Sequence, residues 1–171
     1  NLYNAQTIEL VLRHYPVQSI KDIGTLITGP WGQPVVGLFG LPTTLDFVGN
    51  QMLRGTFPRP EMSMGLCLAA RSSPPLRREP YVPERLDEQL RDQARRYLAD
   101  GGRGAAYDPG RQRMVLSPLL KWNMADLGGT TDQLLAFVRA YRPDVPTDRP
   151  TSVTFGTFDW RLNDAATRGD P

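Results

Sequence analysis

A single cysteine and a single histidine are the scarcities that most constrain this chain of 171 residues. With Cys67 alone, no disulfide can form within the chain, so the fold must be held by its core. With His14 alone, any conventional general base working near neutral pH has to be that one imidazole. No His, Cys or carboxylate residues cluster as ligands, so neither a metal site nor a cofactor is expected, and Asp87-Glu88 reads as a charged helix face. No run approaches the roughly 20 apolar residues that cross a bilayer, so no membrane span is expected in this segment. Charge of one sign is also missing. The balance of 20 basic and 18 acidic residues, net +2, is too weak to argue for nucleic acid. Lysine is confined to Lys21 and Lys121, and the arginine-rich remainder reads as base composition of the genome before function. Arg77-Arg78 and Arg95-Arg96 can be read as an anion site or as solvated faces, and the second reading is favoured.

The 40% of apolar residues suffices for a core, and the length suits one domain. Sixteen prolines and sixteen glycines imply short elements and many turns. The chain opens on Asn1 without methionine, which reads as an excised or processed fragment.

Hydrophobic periodicity predicts a helix over 4–15, with Ile8, Val11, Leu12 and Tyr15 facing inward and Pro16 ending it. Residues 21–34 read as loop and 35–41 as a strand or hairpin arm. Thr43 and Asp46 resemble a capping box for a helix through Arg54, with Leu45, Val48 and Met52 inward and Gly49 in mid-helix. Residues 62–70 suit a buried strand or a buried helix. A proline-punctuated loop over 71–83 leads to the clearest helix, 84–99, whose face is Leu86, Leu90, Ala94, Tyr97 and Leu98. A hairpin around Asp108-Pro109-Gly110, a short helix over 117–127, and a helix capped by Thr130 with Gln133 follow. The last helix carries Leu134, Phe137, Val138 and Tyr141, and alternating Val153 and Phe155 give a final strand. The tail 165–171 is expected to be disordered.

Certain motifs carry more than periodicity. Asn1-Leu2-Tyr3-Asn4-Ala5, the Tyr15-Pro16-Val17-x-Ser19-Ile20 step, the block ending Pro74-Pro75-Leu76, Leu116-Ser117-x-x-x-Lys121-Trp122, and Phe158-Asp159-Trp160-Arg161-Leu162-Asn163 stand in this order. Together they resemble the domain-of-unknown-function 547 family. That resemblance implies a cysteine-histidine-carboxylate constellation like that of papain-like or transglutaminase-like enzymes. In such a set a histidine lowers the pKa of a thiol nucleophile and a carboxylate orients the imidazole. It also implies a bacterial protein, slightly favours a periplasmic or secreted location, and implies a helical segment ahead of Asn1. The chain is therefore expected to be a single domain over 1–164 without that N-terminal helical part.

Carried onto this chain, the family's first cysteine falls at Leu68, its second at Ser73 and its histidine at Ser63. The family's Ile-Glu-His step falls at Val48-Gly49-Asn50. Leucine has no nucleophilic atom, serine is no base near neutral pH, and glycine and asparagine replace the carboxylate and the imidazole. Loss of even one member of such a unit costs orders of magnitude in rate.

Weak candidates for rescue are Cys67, His14, Ser63, Ser72 and Ser73. Cys67 lies one residue before the expected position, which turns it to the opposite face of a strand or by about 100° on a helix, and it reads as a buried structural thiol. His14 reads as a residue of the helix C-terminus, where its charge suits the dipole. A serine nucleophile would need a base and an oxyanion-binding pair that the sequence does not supply. The retained Asn4, Lys121, Trp122, Asp159, Trp160 and Asn163 read either as the lining of a former cleft for peptide or glycan, or as scaffold: Asn4 a helix cap, Trp160 core, Asp159 paired with an arginine. Scaffold is favoured.

The expected fold is α+β, several helices packed on a small, mainly antiparallel sheet, with a papain- or transglutaminase-like arrangement implied by the resemblance. The expected function is that of a catalytically inactive relative acting as a binding or scaffold module for a protein, peptide or envelope component. The alternative is an active cysteine peptidase-like or acyl-transfer enzyme using Cys67 or a serine.

Overall fold

Helix α1 (Leu2–His14) buries Tyr3, Thr7, Leu10 and Val11. The expected inward set is therefore corrected: Ile8, Leu12 and Tyr15 are 39%, 66% and 48% exposed, and only Val11 of that set is buried. Thr7 joins the core face because its hydroxyl donates to the Tyr3 carbonyl at 2.9 Å, satisfying the polar atom within the helix. The computed structural model describes residues 1–25, 27–38 and 40–165, so of the tail expected to be disordered all but Ala165 lies outside the described residues.

The architecture is α+β, with helices and two small, mostly antiparallel sheets. The chain divides into two compact units, one formed by Asn1–Arg59, Leu66–Pro80 and the segment from Asp159 onward, the other by Pro60–Gly65 and Tyr81–Phe158.

In the first unit, strands β1 (Pro34–Leu38) and β2 (Leu41–Thr44) form an antiparallel hairpin. The following helix is wound as a π-helix over Phe47–Arg54. Its N-cap is Asp46, which makes no side-chain cap bond; the Phe47 N–H donates instead to the hydroxyl of Thr44, the last residue of β2 and one position after the expected cap, Thr43, at 3.1 Å. Leu10, Ile20, Ile23, Leu45, Val48 and Leu162 close the core of this unit, each burial of such a side chain contributing about 1.5–3 kcal/mol. A capping box at Ser19 starts a turn of 3₁₀ helix over Ile20–Asp22 and delivers Ile20 to that core.

In the second unit, helix α2 (Leu86–Ala99) buries Leu90, Ala94, Tyr97 and Leu98 together with Gln89 and Gln93. Strands β3 (Ala105–Asp108) and β4 (Arg113–Leu116) pair antiparallel, and β5 (Ser152–Phe155) joins β4 in parallel. Helix α3 (Pro118–Trp122) is capped by Ser117, whose hydroxyl also receives the Tyr97 hydroxyl at 2.7 Å. The helix expected over 117–127 breaks at Asn123 and resumes as a 3₁₀ turn, Met124–Leu127. Helix α4 (Thr131–Tyr141) starts at the Thr130 cap, with the Gln133 N–H donating to Thr130 Oγ1 at 3.2 Å. Gly104 lies where a Cβ would stand 1.9 Å from the Tyr97 carbonyl oxygen, an approach only glycine permits. Residues 62–70 are neither strand nor helix proper: Met62–Gly65 form one 3₁₀ turn in this second unit, and an irregular loop follows in the first.

Candidate functional site

The loop Leu66–Ser73 holds the two positions, Leu68 and Ser73, to which the resemblance assigns cysteines, and its backbone is pinned from three directions. Asn4 in the first turn of α1 accepts the Cys67 N–H at 2.8 Å. This corrects the expectation that Asn4 caps the helix, since the N-cap is Asn1. The Leu68 N–H donates to Ser73 Oγ at 2.9 Å, and that hydroxyl in turn donates to the Pro74 carbonyl at 3.1 Å. Ala69 adopts φ +54°, a left-handed conformation, with its N–H directed at Cys67 Sγ at 3.3 Å and its carbonyl accepting the Asn163 N–H at 3.0 Å.

The closing motif runs through the unit as a short extended segment between two loops. On one side Ser72 Oγ accepts the Asp159 N–H at 2.9 Å, and the Arg71 N–H donates to the Arg161 carbonyl at 2.9 Å. On the other the Leu162 N–H donates to the Gln18 carbonyl at 2.7 Å, and the Ser19 hydroxyl donates to the Trp160 carbonyl at 2.8 Å. Isolated bridges Ser19–Arg161 and Ala70–Leu162 mark the two seams. Trp160 is half-buried against the core, with Trp31 edge-on at 5.6 Å and the Lys21 ammonium 4.1 Å above its ring. Asp159 is held by Arg161, whose guanidinium lowers the carboxyl from near 3.8 to about 2.

Cys67 is buried, and burial pushes its thiol up, against the smaller effect of the Ala69 N–H. The buried Tyr3 hydroxyl is also pushed up, chiefly by burial, with lesser contributions from the charges that Cys67 and Asp46 would carry. Tyr3 also fills the space over Gly49, where a Cβ would stand 3.2 Å from its ring. Thus the structure gathers Cys67, Tyr3 and the Gly49 position, while exposed Asn50 faces outward and accepts from Arg54 at 3.2 Å. His14 is exposed, with Nδ1 2.9 Å from the Leu10 carbonyl. The ten residues separating it from Asn4 on α1 carry it about 15 Å along the axis, away from the end that meets Cys67.

The remaining candidates belong to the second unit. Ser63 is 7% exposed, and its Oγ has no hydrogen-bond partner among the described residues. Trp122, half exposed, packs against Phe158 at 5.0 Å, and the Lys121 ammonium lies 5.5 Å over Phe155. Of the four arginines weighed as an anion site, Arg77 of the first unit pairs with Glu79 at 2.7 Å, and Arg96 and Arg95 of the second pair with Asp92 at 3.0 and 3.8 Å. Among the described residues no cluster of three or more metal-ligating side chains occurs, and no helix is long and apolar enough to cross a membrane.

Residue-type reasoning overlooked Tyr3 and Ser19, and weighed Ser72 only as a nucleophile. The first two lie inside quoted motifs, which was the available signal. Nothing in sequence marked Ser72 as an acceptor for Asp159, a partner 87 positions away.

A family model described as "Protein of unknown function, DUF547" matches residues 1–98, more than half of the chain. The chain belongs to this family. No curated protein and no solved structure matches it. The matched stretch contains the opening motif, the Val48-Gly49-Asn50 step, the Leu66–Ser73 loop and Pro74-Pro75-Leu76.

Proposed function

We propose that this DUF547 chain is a catalytically silent member that serves as a binding or scaffold module for a protein, peptide or envelope component, on a papain- or transglutaminase-like ground plan. The observation that carries this reading is the separation of nucleophile from base. The one thiol meets the Asn4 end of α1, and the one imidazole stands about 15 Å further along that helix. A general base has to lie within about 2.6–3.2 Å of its proton, with some slack in an unliganded site. The thiol's raised pKa supports the same reading, since a protonated thiol is a poor nucleophile.

Ser72 and Ser73 give no better footing for hydrolysis. Their hydroxyl oxygens accept the Asp159 and Leu68 N–H groups, and neither has a histidine placed to activate it. Asn4, Asp159 and Asn163 are tied into the backbone of the loop and the closing segment, which supports a scaffold role for those motif residues. Half-exposed Trp122 beside Lys121 is the retained pair best suited to contact a ligand. Incubation with a thiol-directed activity probe and a mixed peptide-substrate library tests the proposal. The expected result is neither labelling of the folded protein nor turnover. Turnover that disappears in Cys67→Ala or in a serine variant would overturn it.

A further inference from the structure

Helix α1 carries two apolar faces, and only one of them is buried within its unit; on the other, the C-cap Tyr15 donates its hydroxyl to Asp164 Oδ2 at 3.1 Å. Tyr3, Thr7, Leu10 and Val11 line the buried face. Ala5, Ile8, Leu12 and the C-cap Tyr15 fall on the other side, and all are exposed. At 100° per residue these four lie within an arc of about 80°. Their spacing of three, four and three residues is that of an a/d seam, the pattern by which one helix packs lengthwise on another.

The seam is also palindromic about position 10. In an antiparallel pair related by a two-fold axis at that level, residue i faces residue 20 − i. Small Ala5 then meets large Tyr15, and Ile8 meets Leu12. Alternation of small and large residues across facing positions is what lets two helices interdigitate, and a two-fold contact requires this kind of self-complementarity. Few charges oppose the approach. Glu9 and Arg13 flank the stripe and neutralise one another as an i, i+4 pair.

We infer that the outer face of α1 is a homotypic docking seam whose occupant is the antiparallel α1 of a second copy of this chain. The inference is independent of whether the Leu66–Ser73 loop is catalytically silent. The exposed fractions of Ile8, Leu12 and Tyr15, 39%, 66% and 48%, correspond to roughly 300 Å² per copy, about 600 Å² for the pair. Stable dimers bury about 1,200–2,000 Å² in total, so the association is transient.

Sedimentation velocity over tens of micromolar to millimolar protein reads it directly. The mean mass is expected to climb toward twice the monomer value, and Leu12→Glu to weaken association at least about tenfold. Ile8→Lys is a second variant with the same expected effect, and circular dichroism checks that both keep their helices. The register is tested in a Cys67→Ser background. A mixture of Ile8→Cys and Leu12→Cys chains should oxidise to the mixed disulfide faster than either chain forms its own. A chain that stays monomeric throughout overturns the inference and leaves the stripe to a helix of a different protein. A dimer that both charge variants retain overturns it as well.

Discussion

Ser63 stands where the family resemblance places a histidine, and its hydroxyl is buried without a hydrogen-bond partner among the described residues. This makes Ser63→Ala an informative substitution, because two lines of reasoning predict opposite signs. If the hydroxyl worked in chemistry or held the 3₁₀ turn, its loss would cost stability or activity. If it is an unsatisfied polar atom, its loss should help. A buried hydroxyl without a partner costs about 1–3 kcal/mol by mutational measures. Against that stands the loss of one heavy atom's dispersion contacts, a few tenths of a kcal/mol when several neighbours are touched at about 0.1–0.2 kcal/mol each. Met62, Met64 and Gly65 on the same turn are buried, and the flexible methionine side chains can settle into the small space.

The expected balance is a stabilisation of about 0.5–2 kcal/mol, or a few degrees in melting temperature for a chain of this length. The assay is urea unfolding followed by tryptophan fluorescence, with calorimetry as a check on the transition. A loss of more than about 0.5 kcal/mol would refute the reasoning, since it would mean that the hydroxyl is satisfied in solution by an ordered water with partners of its own.

Asn4→Ala removes the acceptor of the Cys67 N–H; the orphaned donor costs about 1–3 kcal/mol, alanine's helix propensity returns about 0.6, and urea unfolding should show the net loss of roughly 0.5–2.5 kcal/mol. Gly104→Ala forces a methyl against the Tyr97 carbonyl and should cost 3 kcal/mol or more, on the order of the larger overpacking penalties, read as a lowered midpoint or failure to fold. Asp159 titrates lower in the folded chain than in the unfolded one, so its contribution is present above the ordinary aspartate value near 3.8 and is lost as pH falls through about 2; carboxyl NMR should show that low midpoint, and Arg161→Gln should move it back up. Cys67 should react with a disulfide reagent only slowly in the folded chain, with a rate that rises above the ordinary thiol range of pH rather than below it, and rapidly once urea unfolds the protein.

Helix α2 was legible from its apolar stripe, and helix α4 because an apolar stripe and a cap signal agreed. Leu90, Ala94, Tyr97 and Leu98 recur at helical spacing on α2, and Thr130 sits beside Gln133 at the head of α4. Helix α1 was legible as a helix but not in its orientation. Its apolar residues make two stripes, and the buried one includes Thr7, whose polarity is cancelled only by the bond to Tyr3. The segment 62–70 resisted periodicity because it has none: a 3₁₀ turn runs into a residue of positive φ. For the site, the prolines after Ser73 fixed the loop's numbering. The seams that hold the loop join residues far apart in sequence, as Ser72 and Asp159 do, and no local pattern records such pairings.

That closing segment has a consequence for the order of synthesis. The unit containing α1 is discontinuous, and its closing segment arrives 87 positions after the serine that receives it. At the usual elongation rate of about 5–20 residues per second, the loop waits roughly 4–17 s on the ribosome before Asp159 is made. Until then the partners that the closing segment supplies to Gln18, Ser19, Ala69, Arg71 and Ser72 do not exist, whereas β3 and β4 can pair with each other as soon as both are made. The unit that holds α1 therefore cannot complete the seam at Ser72 until Asp159 has been made, and an unpaired edge of this kind invites unwanted strand pairing.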